Sequence, residues 1–313
     1  MSATSTEEAT GSTTRWPRHT AAGRPVRSRG SRIGYVLVAG HAALTLAFGV
    51  LPALYALYLA FTAGDGGFAG LDNFTKVIDD FRFLPAVGHV ALYLVIWLLL
   101  LVVLVTSLAL VVHAVRVRWL SKALRLIFYL PGAVAGASSV LLWLFVLDPT
   151  VSPVAPLLRL FGYDSFLHVI SPGHLPPIFA IIAFWTGAGG WIVIMYGALN
   201  TISVDMIEAA RIDGANAVQI AWRIQLPLLR KWISYMGIMS LAAGTQLFVE
   251  PQLLSQASNA VVPNDYSLNQ LAYLYAFQQN DFNGAAAISL LLLVIALALS
   301  AVFVTRGGLF ETD

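Results

Sequence analysis

The sequence predicts an all-α integral membrane protein with six transmembrane helices, and three observations lead to this fold class. Only 11% of the 313 residues are charged and 58% are hydrophobic, whereas an ordinary soluble protein has about 25% charged residues. The hydrophobic residues form blocks that reach the roughly 20 residues a helix needs to cross a bilayer. Lys and Arg are concentrated in alternate connections between these blocks, a pattern typical of membrane proteins.

Six hydrophobic blocks account for most of the chain. Backbone polar groups in lipid must be hydrogen-bonded within their own segment, so each block is predicted to be a helix. Pro131-Gly132 favours a kink in the third block, and Pro176-Pro177 suits a helix start in the fourth. The blocks lie at about residues 33–62, 87–113, 124–147, 176–199, 233–254 and 284–304.

The basic residues predict the orientation of the chain. Residues 1–32 contain six Arg and few large apolar side chains, so they are predicted to be a disordered basic tail before a transmembrane domain at 33–304 and a short tail at 305–313. Fifteen of the 18 Lys and Arg lie in the two tails and in or directly beside the second and fourth connections. We therefore expect both termini and the 200–232 connection in the cytoplasm. The connections at 63–86, 148–175 and 255–283 are expected outside.

The fourth connection, residues 200–232, is predicted to form two short helices joined by a tight turn. Ser203 can cap the first helix, and Gly214 fits the left-handed position that ends it. Asn216 and Gln219 have the spacing of a capping box at the start of the second helix. We expect Pro227 to end that second helix.

This connection resembles the cytoplasmic loop in the transmembrane subunits of ABC importers, where Glu-Ala-Ala precedes a Gly and an Ile-x-Leu-Pro ending. In that family the loop sits in a groove on the ATPase subunit and transmits its closure. Ala221 replaces a usual aromatic, and Lys231 replaces a frequent Pro. The resemblance implies that ATPase coupling is carried by Glu208, Ala209, Ala210, Asp213, Gly214, Ile224, Leu226 and Pro227.

Two further stretches, Gly70–Phe74 and Leu130–Asp148, resemble maltose-type sugar permeases. The resemblance implies a type I importer permease that forms half of a sugar pathway in the bacterial cytoplasmic membrane. It also implies a second permease subunit, an external solute-binding protein and a pair of ATPase subunits that hold ATP and Mg²⁺. A polyamine, phosphate or another small polar solute is the alternative cargo.

Two polar residues in the fifth block are candidates for the substrate path. Gln246 and Glu250 are four residues apart, so in a continuous helix they share one face. Polar side chains within membrane spans normally face the bundle interior or a cavity. The alternative for Glu250, which precedes Pro251, is that it only caps the helix at the outer surface.

Several function classes find no support in the sequence. There is no cysteine, which excludes disulfides, thiolate metal sites and a cysteine nucleophile. No phosphate-binding G-x-x-x-x-G-K-[ST] motif is present and no two His have metal-ligand spacing, so we expect no catalysis, cofactor or metal in this chain, and no nucleic-acid partner. An ion-driven secondary transporter is a rival that needs a coupling-ion site of buried acids or broken helices. The predicted spans are nearly free of Asp and Glu, and Glu250 is the exception. A membrane-embedded enzyme needs a nucleophile or metal set that is not visible.

Overall fold

A computed structural model describes residues 30–134, 136–259 and 261–306. The predicted disordered tail and most of the C-terminal tail lie outside these residues. The chain divides into two compact units, residues 1–51 and 52–313. In the first unit, helix α1 (Gly30–Thr45) continues into a π-helical turn, Leu46–Val50, and α2 (Leu51–Ala60) leads into the second unit.

The second unit is built from helices. Over the described ranges there is no β-strand, only an isolated bridge between Thr62 and Phe68, so the predicted all-α class is confirmed. The elements are α3 (Asp72–Ile78), α4 (Phe83–Leu100), a π-turn (Leu101–Val105), α5 (Thr106–Ala114), α6 (Arg118–Ala133), α7 (Ala137–Leu147), α8 (Ala155–Leu160), α9 (Phe166–Val169), a 3-10 turn (Pro172–His174), α10 (Leu175–Leu199), α11 (Val204–Ile212), α12 (Ala217–Ile220), a π-turn (Ala221–Gln225), α13 (Leu226–Gly244), α14 (Val249–Ala257), α15 (Leu268–Tyr273), a π-turn (Leu274–Gln278) and α16 (Phe282–Arg306).

Four helical runs in the described residues are long and apolar enough to cross a membrane. They are Gly34–Ala60, Phe83–Ala114, Pro172–Leu199 and Phe282–Val302. Two further runs are bent pairs, α6 with α7 at 102° and Ala217–Gly244 with α14 at 44°, and the number of spans rises to six if each pair crosses once. All six predicted blocks fall on these runs. The bend of the third follows Pro131-Gly132 by a few residues, as the sequence predicted.

Helix α10 is the centre of the main hydrophobic core. It contacts α4, α5, α6, α7 and α13, and Phe179, Ile192 and Met195 on it are fully buried. At Gly189 the backbone of α6 comes so close that a Cβ atom would collide with the carbonyl group of Phe128. Glycine at this position therefore allows the two helix backbones to touch.

A second core cluster joins α3, α15 and α16 to the end of α2. Two asparagines bind the free carbonyl groups there: Asn73 Nδ2 donates to the carbonyl oxygens of Ala60 and Thr62 at 3.0 and 2.9 Å. Asn283 Nδ2 donates to the Thr62 carbonyl oxygen at 2.7 Å. Because terminal carbonyl groups of a helix lack partners within it, these contacts fix the start of α16 against α2.

Candidate functional site

The 200–232 connection forms the two helices and tight turn that the sequence predicted. Helix α11 ends in a Schellman motif: the Gly214 amide donates to the Arg211 carbonyl at 3.0 Å, and the Ala215 amide donates to the Ala210 carbonyl at 2.9 Å. Gly214 has φ +84, in the left-handed region where glycine avoids the steric cost of a side chain. The turn is therefore closed by local hydrogen bonds.

Helix α12 begins at the predicted capping box. The Gln219 amide donates to Asn216 Oδ1 at 2.9 Å, and the Asn216 amide donates to Gln219 Oε1 at 2.8 Å. Two backbone amides that would otherwise lack partners are thus bonded reciprocally. The turn between α11 and α12 is fixed at both ends.

The predicted coupling residues occupy two different environments. Glu208, Ala209, Asp213 and Gly214 are exposed, and Ala210 is half-buried. Further along, Ile224 and Leu226 are half-buried while Pro227 is exposed. The loop also exposes large apolar side chains, which favour a protein partner on this surface: Ile212, Val218 and Trp222.

The prediction that Ser203 caps α11 is wrong. Ser203 occupies the N-cap position, but its side chain makes no capping hydrogen bond. The first residues of α11 are exposed, so water can bond the free amides there.

The prediction that Pro227 ends the second helix is also wrong. Pro227 lies in the first turn of α13, and the helical chain runs on to Gly244. The π-turn Ala221–Gln225 directly precedes α13, so α12, this π-turn and α13 form one continuous helical run. A proline removes one helical hydrogen bond, and here that loss falls directly after the π-turn, where the Leu226 amide bonds to the Ala221 carbonyl five residues back.

The helical run that covers the predicted fifth span is broken between α13 and α14, at Thr245–Phe248. Within a continuous helix, Pro251 would leave the Leu247 carbonyl without its hydrogen bond and would clash with it. In the broken span, Pro251 instead lies in the first turn of α14. Asn269 stabilises the backbone at the break, because its Nδ2 donates a hydrogen bond to the Thr245 carbonyl at 3.1 Å.

Two adjoining cavities of about 430 and 400 Å³ lie beside this break. We call them together the polar groove. Gln246, Asn269 and Ser289 line both cavities. The remaining lining side chains are aromatic, aliphatic or hydroxyl-bearing, and no Lys, Arg, Asp or Glu of the described residues is among them: Ala242, Thr245, Phe248, Ala272, Tyr273, Ala276, Phe277, Ala285, Ala286, Leu292, Leu293, Ala296, Leu297 and Ser300.

The polar groove follows one face of α16. Its lining residues on that helix run from Ala285 to Ser300, which is about 22 Å at roughly 1.5 Å per residue. A bilayer has a hydrocarbon core of about 30 Å. The groove is therefore long enough to cross most of a membrane.

The prediction that Gln246 and Glu250 share a helix face is wrong, because the break separates them. Gln246 is exposed in the break and lines the groove. Glu250 lies in the first turn of α14, is half-buried, and lines neither cavity.

Sequence reasoning missed Asn269, Ser289 and the aromatic residues of the groove. Asn269 was missed because it lies in a connection with no hydropathy signal. Ser289 had a signal, since it is a polar residue inside the sixth apolar block. The structure also places no three His, Asp or Glu of the described ranges where they could share a metal ion.

An ionic cluster fastens the helices that carry the groove. Arg82 donates to both carboxylate oxygens of Asp80, at 2.9 and 2.6 Å, and the Tyr275 hydroxyl donates to Asp80 at 2.6 Å. The hydrogen bonds from Arg82 hold the pKa of the Asp80 carboxyl well below its usual value, and burial raises the pKa of Tyr275 to about 12. Lys76 and Asp281 add an ion pair at 2.6 Å.

The family model for the binding-protein-dependent transport system inner membrane component matches residues 106–307. The chain belongs to this family. The match includes the polar groove. It also includes the turn between α11 and α12 at residues 210–219, which we call the coupling turn after its predicted role. This is the family that the sequence of the 200–232 connection indicated for this permease component. The family is one of transport permeases rather than catalytic enzymes.

Two relatives match this permease component over nearly their whole length. The multiple sugar-binding transport system permease protein MsmF of Streptococcus mutans is 28% identical, over 86% of this chain and 92% of its own. The sn-glycerol-3-phosphate transport system permease protein UgpA of Escherichia coli is 29% identical, over 89% of this chain and 95% of its own.

Solved structures share the fold of this permease component. A bacterial alginate ABC transporter in complex with alginate pentasaccharide-bound periplasmic protein has a chain with a TM-score of 0.77 and 22% identity. The match covers 90% of this chain and 96% of that one. At this identity the likeness establishes the fold, which is that of an ABC importer permease.

Proposed function

We propose that this permease component forms half of the pathway of a sugar-class ABC importer, with the polar groove as its wall. The observation that carries the proposal is the groove itself, a path of about 22 Å along α16 in which amides, hydroxyls and aromatic rings stand among small and aliphatic side chains. Amides and hydroxyls bond sugar hydroxyl groups, and aromatic faces cover the apolar faces of sugar rings. Gln246 at the helix break is the side chain that both the sequence and the geometry favour as a substrate contact.

The groove also favours an uncharged cargo. Its described lining carries no Lys or Arg, and proteins recognise phosphate and carboxylate chiefly with these side chains. One relative is named for sugars and another for sn-glycerol-3-phosphate. The lining supports the sugar over the phosphate ester as cargo of this chain.

ATP hydrolysis is assigned to a pair of separate ATPase subunits that hold ATP and Mg²⁺. The exposed coupling residues Glu208, Ala209, Asp213 and Gly214, together with the exposed apolar side chains near them, are the contact surface for those subunits. Because α12 continues through a π-turn into α13, a movement of the coupling turn passes directly to α13, which ends at Gly244, two residues before Gln246.

A second permease subunit closes the open side of the groove, and an external solute-binding protein delivers the sugar. The family description names a binding-protein-dependent system of the inner membrane. Fifteen of the 18 Lys and Arg lie in the tails and in or directly beside the second and fourth connections, which supports six spans with both termini in the cytoplasm. ATP binding then brings the coupling loops together and opens the groove outward.

Uptake by the assembled importer in proteoliposomes tests the groove. We expect Gln246→Ala and Asn269→Ala each to reduce sugar uptake about tenfold, the effect of one or two lost hydrogen bonds. Gln256→Ala is the matched control, because Gln256 is an exposed amide on α14 outside the groove. Wild-type uptake by both groove variants would refute the assignment of the groove as the sugar path. We expect Glu250→Gln to transport sugar at the wild-type rate, because Glu250 lines neither cavity.

The same proteoliposomes distinguish the two cargo classes. We expect sugar and not sn-glycerol-3-phosphate to be taken up by the wild-type importer with its own binding protein. Uptake of the phosphate ester at the rate of the sugar would contradict an uncharged cargo while leaving the importer function intact.

A further inference from the structure

A cavity of about 410 Å³ lies between the end of the second span and the coupling loop. Its volume is in the range of about 300–1,000 Å³ typical of small-molecule sites. One wall comes from Leu110–Arg116 at the end of α5, and the other from residues of α11, α12 and the π-turn that follows. It shares no lining residue with the polar groove.

Two arginines give this cavity a positive charge. Arg116 and Arg211 line it, and none of its described lining residues is Asp or Glu. Neither arginine forms an ion pair with a carboxylate in the described ranges. By contrast, the nearby Arg125 stacks on the ring of Tyr196 at 4.0 Å. The cavity lining therefore carries two guanidinium groups and no carboxylate.

The rest of the lining is largely apolar. Leu110, Val115 and Ile220 form much of the wall, and His113 and Gln225 add polar atoms. A site of this kind fits a molecule with an anionic group and an aliphatic part better than a hydrated inorganic ion.

The cavity opens at a membrane boundary. The second apolar run ends at Ala114, two residues before Arg116. Beside it, Val111, Val117 and Trp119 are exposed, and Trp is enriched where protein meets the bilayer interface. An acyl chain can therefore lie along this surface while its headgroup enters the cavity.

We propose that this cavity binds the phosphate headgroup of an anionic phospholipid, held between Arg116 and Arg211. Guanidinium groups bond phosphate oxygens in pairs, and basic pockets between helices at the membrane surface bind anionic headgroups. Arg116 follows the second span and Arg211 belongs to the coupling helix α11. A lipid bound to both links the coupling loop to the surrounding bilayer.

The test uses the assembled importer in nanodiscs of phosphatidylcholine with and without phosphatidylglycerol. Native mass spectrometry after release into detergent measures the phosphatidylglycerol that remains bound. We expect Arg116→Gln to weaken retention about tenfold, the effect of losing a charge-assisted hydrogen bond. Arg118→Gln is the matched control, since Arg118 is exposed at the same boundary but does not line the cavity, and we expect it to retain the lipid as the wild type does.

Three results would overturn the proposal. One is equal retention by the wild type and Arg116→Gln. The second is displacement of the lipid by inorganic phosphate alone, because that would identify a soluble anion as the ligand. The third is retention by the isolated permease pair but not by the full importer, because an ATPase side chain would then fill the cavity.

Discussion

The coupling turn and the polar groove lie close together in the sequence but are built in different ways. The turn at 210–219 is closed by hydrogen bonds between residues at most five positions apart. The groove takes its polar residues from three separate elements, at Gln246, Asn269 and Ser289. A locally closed turn depends on a few individual residues, whereas a groove assembled from distant elements spreads its function over many.

The largest effect is expected at Gly214, where the local construction of the turn can be broken by one substitution. Gly214→Pro forces φ to about −65° where the native value is +84, and it removes the amide that bonds Arg211. We expect binding-protein-stimulated ATP hydrolysis to be lost while the complex stays in the membrane.

Gly162 provides a matched control for this strain. It has φ +81, with open space around it as at Gly214, but it lies in the 148–175 connection. Gly162→Ala and Gly214→Ala should each cost about 1 kcal/mol of unfolding free energy. Only the Gly214 variant should uncouple the ATPase. Equal binding-protein-stimulated ATP hydrolysis in Gly162→Ala and Gly214→Ala would show that the coupling turn does not transmit the movement of the ATPase subunits.

A smaller effect is expected at the ionic cluster that supports the groove. Asp80→Asn removes the ion pair with Arg82 and weakens the bond from Tyr275, so we expect a loss of about 1.5–3 kcal/mol. Thermal unfolding of the purified complex measures it. Asp79→Asn is the matched control, because Asp79 is the exposed neighbour and should leave the unfolding temperature unchanged.

The same cluster predicts a pH dependence. The pKa of Asp80 is lowered in the folded protein, so its stabilisation is fully present above the unfolded value of about 3.9 and is lost progressively as the pH falls from that value through the lowered pKa of the folded protein. We expect the difference in unfolding temperature between the wild type and Asp80→Asn to begin to shrink below about pH 4 and to continue shrinking at lower pH. A constant difference from neutral to acidic pH would contradict this role for the carboxylate.

The smallest effect is expected at the capping box. Asn216→Ala removes one side-chain cap and should cost about 1 kcal/mol, with a modest fall in coupled ATP hydrolysis. Ser203→Ala should change neither unfolding temperature nor coupling, since Ser203 makes no capping hydrogen bond. Equal losses in the two variants would show that the cap geometry does not govern the loop.

The features that the sequence predicted correctly depend on short stretches of chain. Gly214, Asn216 and Gln219 lie within six residues of one another, and the Schellman turn and capping box require little beyond those residues. The six apolar blocks were also predictable, because length and hydropathy decide whether a helix can cross lipid. Ser203 and Pro227 were predicted wrongly because solvent can replace a cap and because the helical run continues past the proline directly after a π-turn.

The sequence by itself determined the family, the helical class, the candidate spans and the coupling turn. Only the tertiary structure decided where the fifth span breaks, that Gln246 and not Glu250 lines the groove, and that Asn269 and Ser289 join it. The physical reason is range: turns and caps are closed within a few residues, whereas the groove and the Asp80–Tyr275 bond join residues that packing brings together from distant parts of the chain.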